Sequence, residues 1–345
     1  MTAGERPREP ASFTPDDVAA SLARGDGGFG RDQQSYYDHP ILQKPHWGWE
    51  IEWYFYIGGI ASGSALLALV ADRSGEPANA PLVRNGRYAA LIGAAASGTL
   101  LILDLGRPER FLNMLRIVKL KSPMSVGVYA LLGFSATAAL AAAEQAHADG
   151  WLPFNFAGLL PKPLRMLATG ASSALLGSYT GVLVSATAIP VWFSGRRFLP
   201  AIFVCSATST ACAFHLALLA LAPGSHVTTM RKLERLEAVA ACGEALLLLA
   251  YRRSARSLGA PLFSGAIGKR LKLGTGALGI ALPLVLNIVS GFARNAHHGP
   301  ADRGRALLAA GLTLAGGFIL RSAVLRAGKV SADDPRAYIN HLHPS

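Results

Sequence analysis

About eight apolar stretches, each roughly 20 residues long, recur along this chain and are separated by short basic segments. A helix needs roughly 20 predominantly apolar residues to cross a hydrocarbon core about 30 Å thick. The stretches cover residues 53–71, 88–105, 124–143, 167–192, 198–222, 233–251, 273–293 and 306–325. The 345 residues are 51% hydrophobic and only 16% charged, which exceeds what a soluble domain can bury. The sequence therefore predicts an all-α, polytopic membrane protein with about eight transmembrane helices.

Two polar segments flank these stretches. Residues 1–50 are rich in Gly and Pro and mixed in charge, and residues 328–345 are similarly polar. No short apolar core with a small-residue cleavage site follows Met1, so we expect the first transmembrane helix to serve as the insertion signal. We therefore predict a polar N-terminal arm and a polar C-terminal tail that lie outside the membrane.

The formal net charge of +12 comes mainly from Lys and Arg in the connections between apolar stretches. Such placement is typical of membrane insertion, and no basic helix is left outside the bilayer, so we expect no nucleic-acid partner. The even-numbered connections carry more Lys and Arg than the odd-numbered ones, which favours cytoplasmic termini. A basic surface that docks a protein partner would give the same distribution, and this alternative stays open.

Cysteine and histidine limit the cofactors that the protein itself can hold. Cys205, Cys212 and Cys242 all fall inside apolar stretches and form no Cys-x-x-Cys pair. His215 is the one histidine deep inside a predicted span, whereas a membrane haem usually needs two facing ligands. We therefore expect no haem, iron–sulfur cluster or metal site in this chain, and we interpret the cysteines as small buried thiols.

Ionisable side chains within predicted spans are candidates for function, because charge is costly in hydrocarbon. In this chain they are Glu50, Glu52, Asp72, Asp104, His215, Glu237, Glu244 and Arg321. Alternating helix directions place the start of the first span, the end of the second, the start of the third and the end of the fourth in one leaflet. There we predict a polar pocket lined by Glu50, Glu52, Tyr54, Asp104, Arg107, Tyr129 and Tyr179.

Such a pocket suits a quinone. The head group needs hydrogen-bond donors for two carbonyls and a proton donor or acceptor nearby, and the isoprenoid tail needs an apolar path from the lipid. Tyr and Trp also form belts at membrane interfaces simply because their rings are amphipathic. We interpret four tryptophans as such a belt: Trp47, Trp49, Trp53 and Trp192. Asp104 could equally form a structural pair with Arg107 or a neighbouring helix end.

A second pair of charges lies in the other half of the sequence. Glu244 in the sixth span and Arg321 in the eighth lie at depths that agree to within roughly 5 Å. An ion pair between them would offset the cost of burying each charge. We predict either a structural latch between the two helices or part of a proton route.

Three segments of the first half carry recognisable motifs. Residues 46–63 read HWGWEIEWYFYIGGIASG; residues 103–111 read LDLGRPERF and are followed by KSPMSVG at residues 121–127. Residues 178–181 read SYTG and lead to IPVW at residues 189–192. Together they resemble the membrane subunits of the NrfD/polysulfide reductase family, and the resemblance extends from about residue 36 to residue 325.

The resemblance implies a fold of two four-helix bundles, here residues 51–195 and 196–327. Family members exchange electrons with quinone without a haem of their own, and they anchor iron–sulfur and often molybdopterin subunits. Their quinone lies near the start of the first helix and on the fourth, which by position implies Glu50 or Glu52, Tyr54 and Tyr179. Where some relatives have a His or Asn, this chain has Tyr54 and acidic residues, so the resemblance leaves menaquinone and ubiquinone both open.

We therefore expect a membrane anchor and quinone-reactive subunit of a respiratory oxidoreductase in a bacterial inner membrane. The terminal substrate would be set by another subunit, so we expect no complete catalytic site for it in this chain. The alternatives are a secondary transporter or proton-translocating module and a pure scaffold. Transporters usually show inverted repeats and broken helices near the midplane, and the sequence shows no convincing repeat.

Overall fold

The structure, a computed structural model, describes residues 45–106, 109, 116, 119, 122–224, 226–293 and 300–333. Within these ranges the regular elements are helices, and no strand occurs. The α-helices are α1 (Trp49–Ser74), α2 (Ala80–Asp104), α3 (Pro123–Ala148), α4 (Lys162–Ser185), α5 (Pro190–Ser194), α6 (Leu199–Leu221), α7 (Val227–Ala255), α8 (Ala260–Phe263), α9 (Gly265–Arg270), α10 (Leu282–Ala293) and α11 (Pro300–Ala332). Short 3-10 turns cover Pro77–Asn79, Phe156–Leu159 and Arg256–Gly259, and a π-helix covers Leu271–Ala281.

Seven helical segments of the described residues are long enough and apolar enough to cross a membrane. They are Trp49–Ser74, Pro77–Asp104, Pro123–Ala148, Lys162–Ser185, Leu199–Leu221, Gly265–Ile288 and Arg303–Ala332. The remaining predicted span, residues 233–251, lies within α7, which has sufficient length at 29 residues. This segment carries four charged residues, Glu234, Arg235, Glu237 and Glu244, and is therefore less apolar than the other seven. The chain is therefore an all-α, multi-pass membrane protein, as the sequence predicts.

Local sequence signals explain where the helices begin and end. Pro lies in the first turn of α2, α3, α4, α5, α6 and α8, where the missing amide hydrogen costs no hydrogen bond. Gly75 ends α1 in the left-handed conformation at φ 64°, a geometry that glycine adopts without a Cβ clash. These signals place the helix ends in the connections between apolar stretches.

The fourth predicted span differs from the structure. The sequence predicts one helix over residues 167–192, but α4 ends at Ser185 and the backbone enters a new short helix, α5, at Pro190. Ile189 adopts an extended conformation, because a residue that precedes proline is disfavoured in the helical region. The turn between α4 and α5 directs Trp192 inward instead of continuing α4 towards solvent.

Helix α1 packs closely against its neighbours through small residues. A Cβ built on Gly63 would lie 2.6 Å from the Ala211 Cβ on α6, and one built on Gly93 of α2 would lie 2.6 Å from the Ala61 Cβ. Small residues of this kind let membrane helices approach one another and gain van der Waals contact. The predicted division into bundles at residues 51–195 and 196–327 stays a prediction, as does the assignment of the arm and tail.

The π-helix Leu271–Ala281 packs against α11 at even closer range. Gly279 faces Gly316, so that a Cβ on Gly279 would lie 2.5 Å from the Gly316 Cα, and the Thr275 hydroxyl donates to the Gly316 carbonyl at 2.9 Å. α11 continues to Ala332, so the first residues of the predicted polar tail are helical. Residues 1–44 of the predicted arm and 334–345 of the predicted tail lie outside the described residues.

Candidate functional site

A pocket lies among the first four long helices, at the end where α1 and α3 begin and α2 and α4 end. Four segments line it: Trp47, Ile51, Tyr54 and Phe55; Leu101, Asp104 and Leu105; Met124, Gly127 and Val128; Tyr179 and Leu183. In the first three segments the lining residues include positions i, i+3 and i+4, which share one face of a helix: residues 51, 54 and 55, residues 101, 104 and 105, and residues 124, 127 and 128. The pocket encloses about 580 Å³, including its open mouth.

Two tyrosines line the pocket. Tyr54 on α1 and Tyr179 on α4 are 2% and 4% exposed. The Tyr179 hydroxyl donates to the Pro123 carbonyl at the start of α3. The Tyr54 hydroxyl has no hydrogen-bond partner among the described residues. One phenol is therefore held in place, while the other can donate to a ligand.

Asp104, the last residue of α2, contributes the carboxylate of the pocket. Its Oδ1 accepts a hydrogen bond from the Gly48 amide at 3.3 Å, which joins the end of α2 to the start of α1. Glu50 and Lys329 are the charged groups that act on it electrostatically. The Lys329 ammonium in turn donates to the Trp47 carbonyl. Asp104 thus lies where the pocket meets a polar surface.

The structure brings together three of the seven residues that the sequence predicts for this site: Tyr54, Asp104 and Tyr179. Glu52 lies on a different face of α1, where its Oε1 pairs with the Arg326 Nε at 3.2 Å. Tyr129 and Glu50 do not line the pocket, although Glu50 acts on Asp104 from nearby. Arg107 lies outside the described residues.

Sequence reasoning misses two features of the pocket. Trp47 lines it and stacks on Trp192 with ring centroids 5.4 Å apart, and Gly127 faces the Tyr179 ring so closely that a Cβ would overlap it. The belt interpretation is wrong for Trp192, which is only 1% exposed and donates from Nε1 to the Val324 carbonyl at 2.8 Å. The Ile189-Pro190 dipeptide is the sequence signal that indicates this change of direction, because proline ends the helix that would otherwise carry Trp192 to the interface.

A second pocket of about 570 Å³ lies at the opposite end of the same four helices. Its rim is a cluster of five charged residues: Asp72 on α1, Arg87 on α2, Glu144 on α3, and Lys162 and Arg165 on α4. We call this set the ionic end. Sequence reasoning treats its basic members as loop residues, since their pairing with Asp72 and Glu144 depends on which helices are neighbours.

Charges at the ionic end pair with one another. The Arg87 Nη2 lies 3.6 Å from carboxylate oxygens of both Asp72 and Glu144. The Arg165 Nη2 lies 3.3 Å from Glu144, and the Lys162 Nζ lies 3.3 Å from Asp72. These ion pairs connect all four helices at one membrane interface.

A third polar cluster surrounds Arg321 at the centre of the molecule. The buried guanidinium donates from Nε to the Phe55 carbonyl, and from Nη1 to the Ser206 hydroxyl and the Gly317 carbonyl, each at 3.0 Å. The Glu244 carboxylate interacts with Ser206 and with the charge of Arg321. Ser206 therefore links the two residues that the sequence pairs by depth, and a role of this cluster in a proton route stays a prediction.

Two further buried ionisable residues are held by hydrogen bonds across helices. Glu237 on α7 accepts from the Thr313 hydroxyl at 2.6 Å and from the Asn287 amide at 3.4 Å. His215 on α6 contacts the Ser64 hydroxyl through Nε2 at 2.9 Å. Both side chains connect helices that are distant in the sequence.

The family model for polysulphide reductase, NrfD, matches residues 41–332. The chain belongs to this family. A polysulfide reductase subunit of Wolinella succinogenes is 26% identical over 306 residues, which cover 82% of this sequence and 94% of the relative. Protein NrfD of Escherichia coli is 28% identical over 322 residues, which cover 83% of this sequence and 95% of that protein.

The NrfD match confirms the resemblance drawn from the motifs of the first half. It covers every residue that lines the pocket, from Trp47 to Leu183, and it also covers α6, α7 and α11. The second half, where the motifs are weak, therefore belongs to the same family domain. The chain is a multi-pass membrane subunit of the NrfD type with a pocket in its first four long helices.

Proposed function

We propose that this chain is the membrane anchor and quinone-reactive subunit of a respiratory oxidoreductase, and that it passes electrons between a membrane quinone and an iron–sulfur partner. The observation that carries the proposal is the convergence of Tyr54, Tyr179 and Asp104 on one largely apolar pocket at a membrane interface. Most ligand pockets combine apolar walls with a few polar groups in this way.

The pocket residues fit a quinone head group. Leu101, Leu105, Val128 and Leu183 supply apolar walls for a planar ring. The Tyr54 hydroxyl supplies a hydrogen-bond donor with no partner among the described residues.

Quinone reduction takes up two electrons and two protons, and quinol oxidation releases them. In this proposal Tyr54 donates a hydrogen bond to one carbonyl and holds the ring, while the Pro123 carbonyl fixes the orientation of Tyr179. Asp104 lies beside Glu50 and Lys329 at the polar end of the pocket, so we assign it the exchange of protons with the aqueous side.

The electrons require a redox partner, because we assign no redox centre to this chain. One relative is by its name a single chain of polysulfide reductase, which implies an enzyme with several. We propose an iron–sulfur subunit that docks at the pocket end of the first four long helices, together with a molybdopterin catalytic subunit. The proposed location is the bacterial inner membrane, and the quinone is menaquinone or ubiquinone.

The test compares two pocket variants with a matched control in the assembled complex. Tyr54→Phe and Tyr179→Phe each remove one hydroxyl from the pocket, and Tyr56→Phe removes one from the same helix at a position outside it, where the hydroxyl donates to the Leu314 carbonyl. We expect the pocket variants to lose at least about fivefold in turnover of a short-chain quinol, since a hydrogen bond contributes roughly 1 kcal/mol or more. Tyr56→Phe should keep its turnover.

Assembly is checked in the same samples by the ratio of co-purified subunits. Full quinol turnover in both pocket variants, with assembly intact, would contradict the proposal. A protein that purifies alone and supports substrate-dependent uptake in vesicles would favour a transporter instead.

A further inference from the structure

A shallow groove with two arginines at its rim lies outside the proposed quinone pocket. It is formed by Ile267 and Arg270 of α9 and by Phe318, Ile319, Ser322, Ala323 and Arg326 of α11. The α11 residues recur at intervals of three to four positions and so line one face over about 12 Å. The groove encloses about 530 Å³.

The depth of the groove matches a membrane interface. Arg270 directly precedes the apolar π-helix, and Arg326 directly follows the apolar stretch that ends at Leu325. The neighbouring Trp53 is 40% exposed, packs on Phe318 with ring centroids 4.6 Å apart, and fits the interfacial belt predicted for it. The two guanidinium groups are therefore placed at the level of lipid head groups.

The charges of the groove do not balance. The Arg326 Nε pairs with Glu52 at 3.2 Å, while Arg270 has no carboxylate partner among the described residues. Two cations against one anion leave a net charge of about +1, which one phosphodiester would neutralise. Guanidinium groups bind phosphate oxygens with directed, charge-assisted hydrogen bonds.

The floor of the groove is apolar and continues onto the surface that faces lipid. Ile267, Phe318 and Ile319 form the floor, and the adjacent π-helix exposes Leu273 and Leu278 by 64% and 48%. A lipid acyl tail can extend along this surface, whereas an acidic segment of a water-soluble partner would have to enter hydrocarbon.

We propose that this groove binds an anionic phospholipid, with the phosphate held between Arg270 and Arg326 and an acyl tail along Phe318 and Ile319. The site is separate from the pocket of Tyr54 and Tyr179, and the proposal does not depend on quinone chemistry. A bound lipid would add contacts between α9 and α11 at the interface where Glu52 of α1 also attaches.

The test uses the purified complex and native mass spectrometry to count bound phosphatidylglycerol. Arg270→Gln should weaken binding about fivefold, because one basic residue near an anionic membrane surface contributes roughly that factor. Lys269→Gln is the matched control, since it removes the same charge from the adjacent exposed residue, which does not line the groove. We expect the control to bind within about twofold of the unchanged protein, because a charge outside the groove makes no directed hydrogen bond to the phosphate.

Two further measurements distinguish a lipid phosphate from free inorganic phosphate as the ligand of the groove. Phosphatidylcholine should bind at least about fivefold more weakly than phosphatidylglycerol, and millimolar inorganic phosphate should not displace the lipid. Equal losses in Arg270→Gln and Lys269→Gln, or displacement by inorganic phosphate, would overturn the lipid site. Loss of a partner subunit in Arg270→Gln with lipid binding unchanged would assign the groove to protein docking and overturn it as well.

A second variant guards against misfolding. The double change Glu52→Gln with Arg326→Gln removes one cation together with its anion, so no charge is left without its partner. It should also lower phosphatidylglycerol binding about fivefold, because one of the two directed guanidinium–phosphate contacts is lost although the net charge of the groove is unchanged. Unchanged binding in a folded double variant would overturn the proposal.

Discussion

The two ends of the first four long helices enclose pockets of nearly equal volume, about 580 Å³ and about 570 Å³, with opposite chemistry. At one end Tyr54, Tyr179 and Asp104 converge on open space. At the ionic end, charged groups from the same four helices pair with one another. Pocket size therefore does not distinguish the two ends, whereas the type of polar group does: two phenols and one carboxylate at one end, and mutually paired charges at the other.

The difference follows from the cost of leaving polar groups without partners. At the ionic end each carboxylate faces two cations, so the charges offset one another's desolvation within the protein. In the other pocket the Tyr54 hydroxyl has no hydrogen-bond partner among the described residues, and it lines the pocket. It can therefore donate to a ligand there without first breaking a hydrogen bond within the protein. We therefore expect substitutions at the two ends to change different measured quantities.

Filling the space beside Tyr179 should have the largest effect on function. In Gly127→Ala the new Cβ would overlap the Tyr179 ring, so the phenol must move away from the Pro123 carbonyl. We expect quinol turnover by the complex to fall about 100-fold, as displacement of a site by about 1 Å can cause. Gly133→Ala on the same helix is the control, because a Cβ there meets no atom within 4 Å. Equal turnover in both variants would show that the position of Tyr179 is unimportant.

Removing the central cation of the ionic end should change stability and leave the other pocket intact. Arg87 is 13% exposed and faces both Asp72 and Glu144, so Arg87→Met leaves two carboxylates with fewer cations. We expect a loss of about 2 kcal/mol in unfolding free energy, between the values for exposed and fully buried pairs. Thermal unfolding in detergent measures the loss, and quinol turnover of the remaining folded complex should be unchanged.

Arg84→Met is the control for that experiment. Arg84 lies on the same helix and pairs with Asp149 at 2.9 Å, but half of its side chain is exposed. Its unfolding midpoint should therefore stay close to that of the unchanged protein. If Arg87→Met instead abolished quinol turnover at full stability, the ionic end would share the function assigned to the opposite pocket.

A substitution at Glu52, which lies outside the pocket, should have a smaller effect. Glu52→Gln should weaken the pairing with Arg326 and lower the unfolding midpoint slightly, because one member of that pair is half exposed. Quinol turnover should stay within about twofold, since the carboxylate does not line the pocket. A fall of tenfold or more would restore Glu52 to the site that the sequence predicts for it.

Most of the helical spans, and the end of the first four long helices at which Tyr54, Asp104 and Tyr179 lie, could be predicted from the sequence, because both depend on local properties. Apolar stretches fix the spans, and alternating directions place Tyr54, Asp104 and Tyr179 in one leaflet. Which face each side chain occupies needs the helical angle of about 100° per residue. Glu52 precedes Tyr54 by two positions, so the two side chains point about 160° apart, and only Tyr54 reaches the pocket.

Contacts between distant helices could not be predicted in this way. The pairing of Arg165 with Glu144 requires α3 and α4 to be neighbours in a particular register. The same is true of the Ser206 hydroxyl between Arg321 and Glu244, which lies on a third helix. The depth of two charged residues in the membrane, inferred from their positions in the spans, predicts that they are close. It does not identify the uncharged group that links them.

The smallest effect concerns pH at the connection that follows α3. Burial raises the pKa of Asp149, but the hydrogen bonds that its carboxylate accepts from Arg84, Tyr88 and Gln145 lower the pKa by more than burial raises it. The pKa of Asp149 therefore lies below its usual range. A lowered folded-state pKa stabilises the protein above the unfolded-state value of about 3.9, and this stabilisation is lost as the pH falls through the folded-state pKa. Asp149→Asn should therefore flatten the acid limb of the stability curve without changing stability differences between pH 6 and pH 8. An unchanged acid limb would mean that the ion pairs of the ionic end, and not this connection, set the acid sensitivity of that interface.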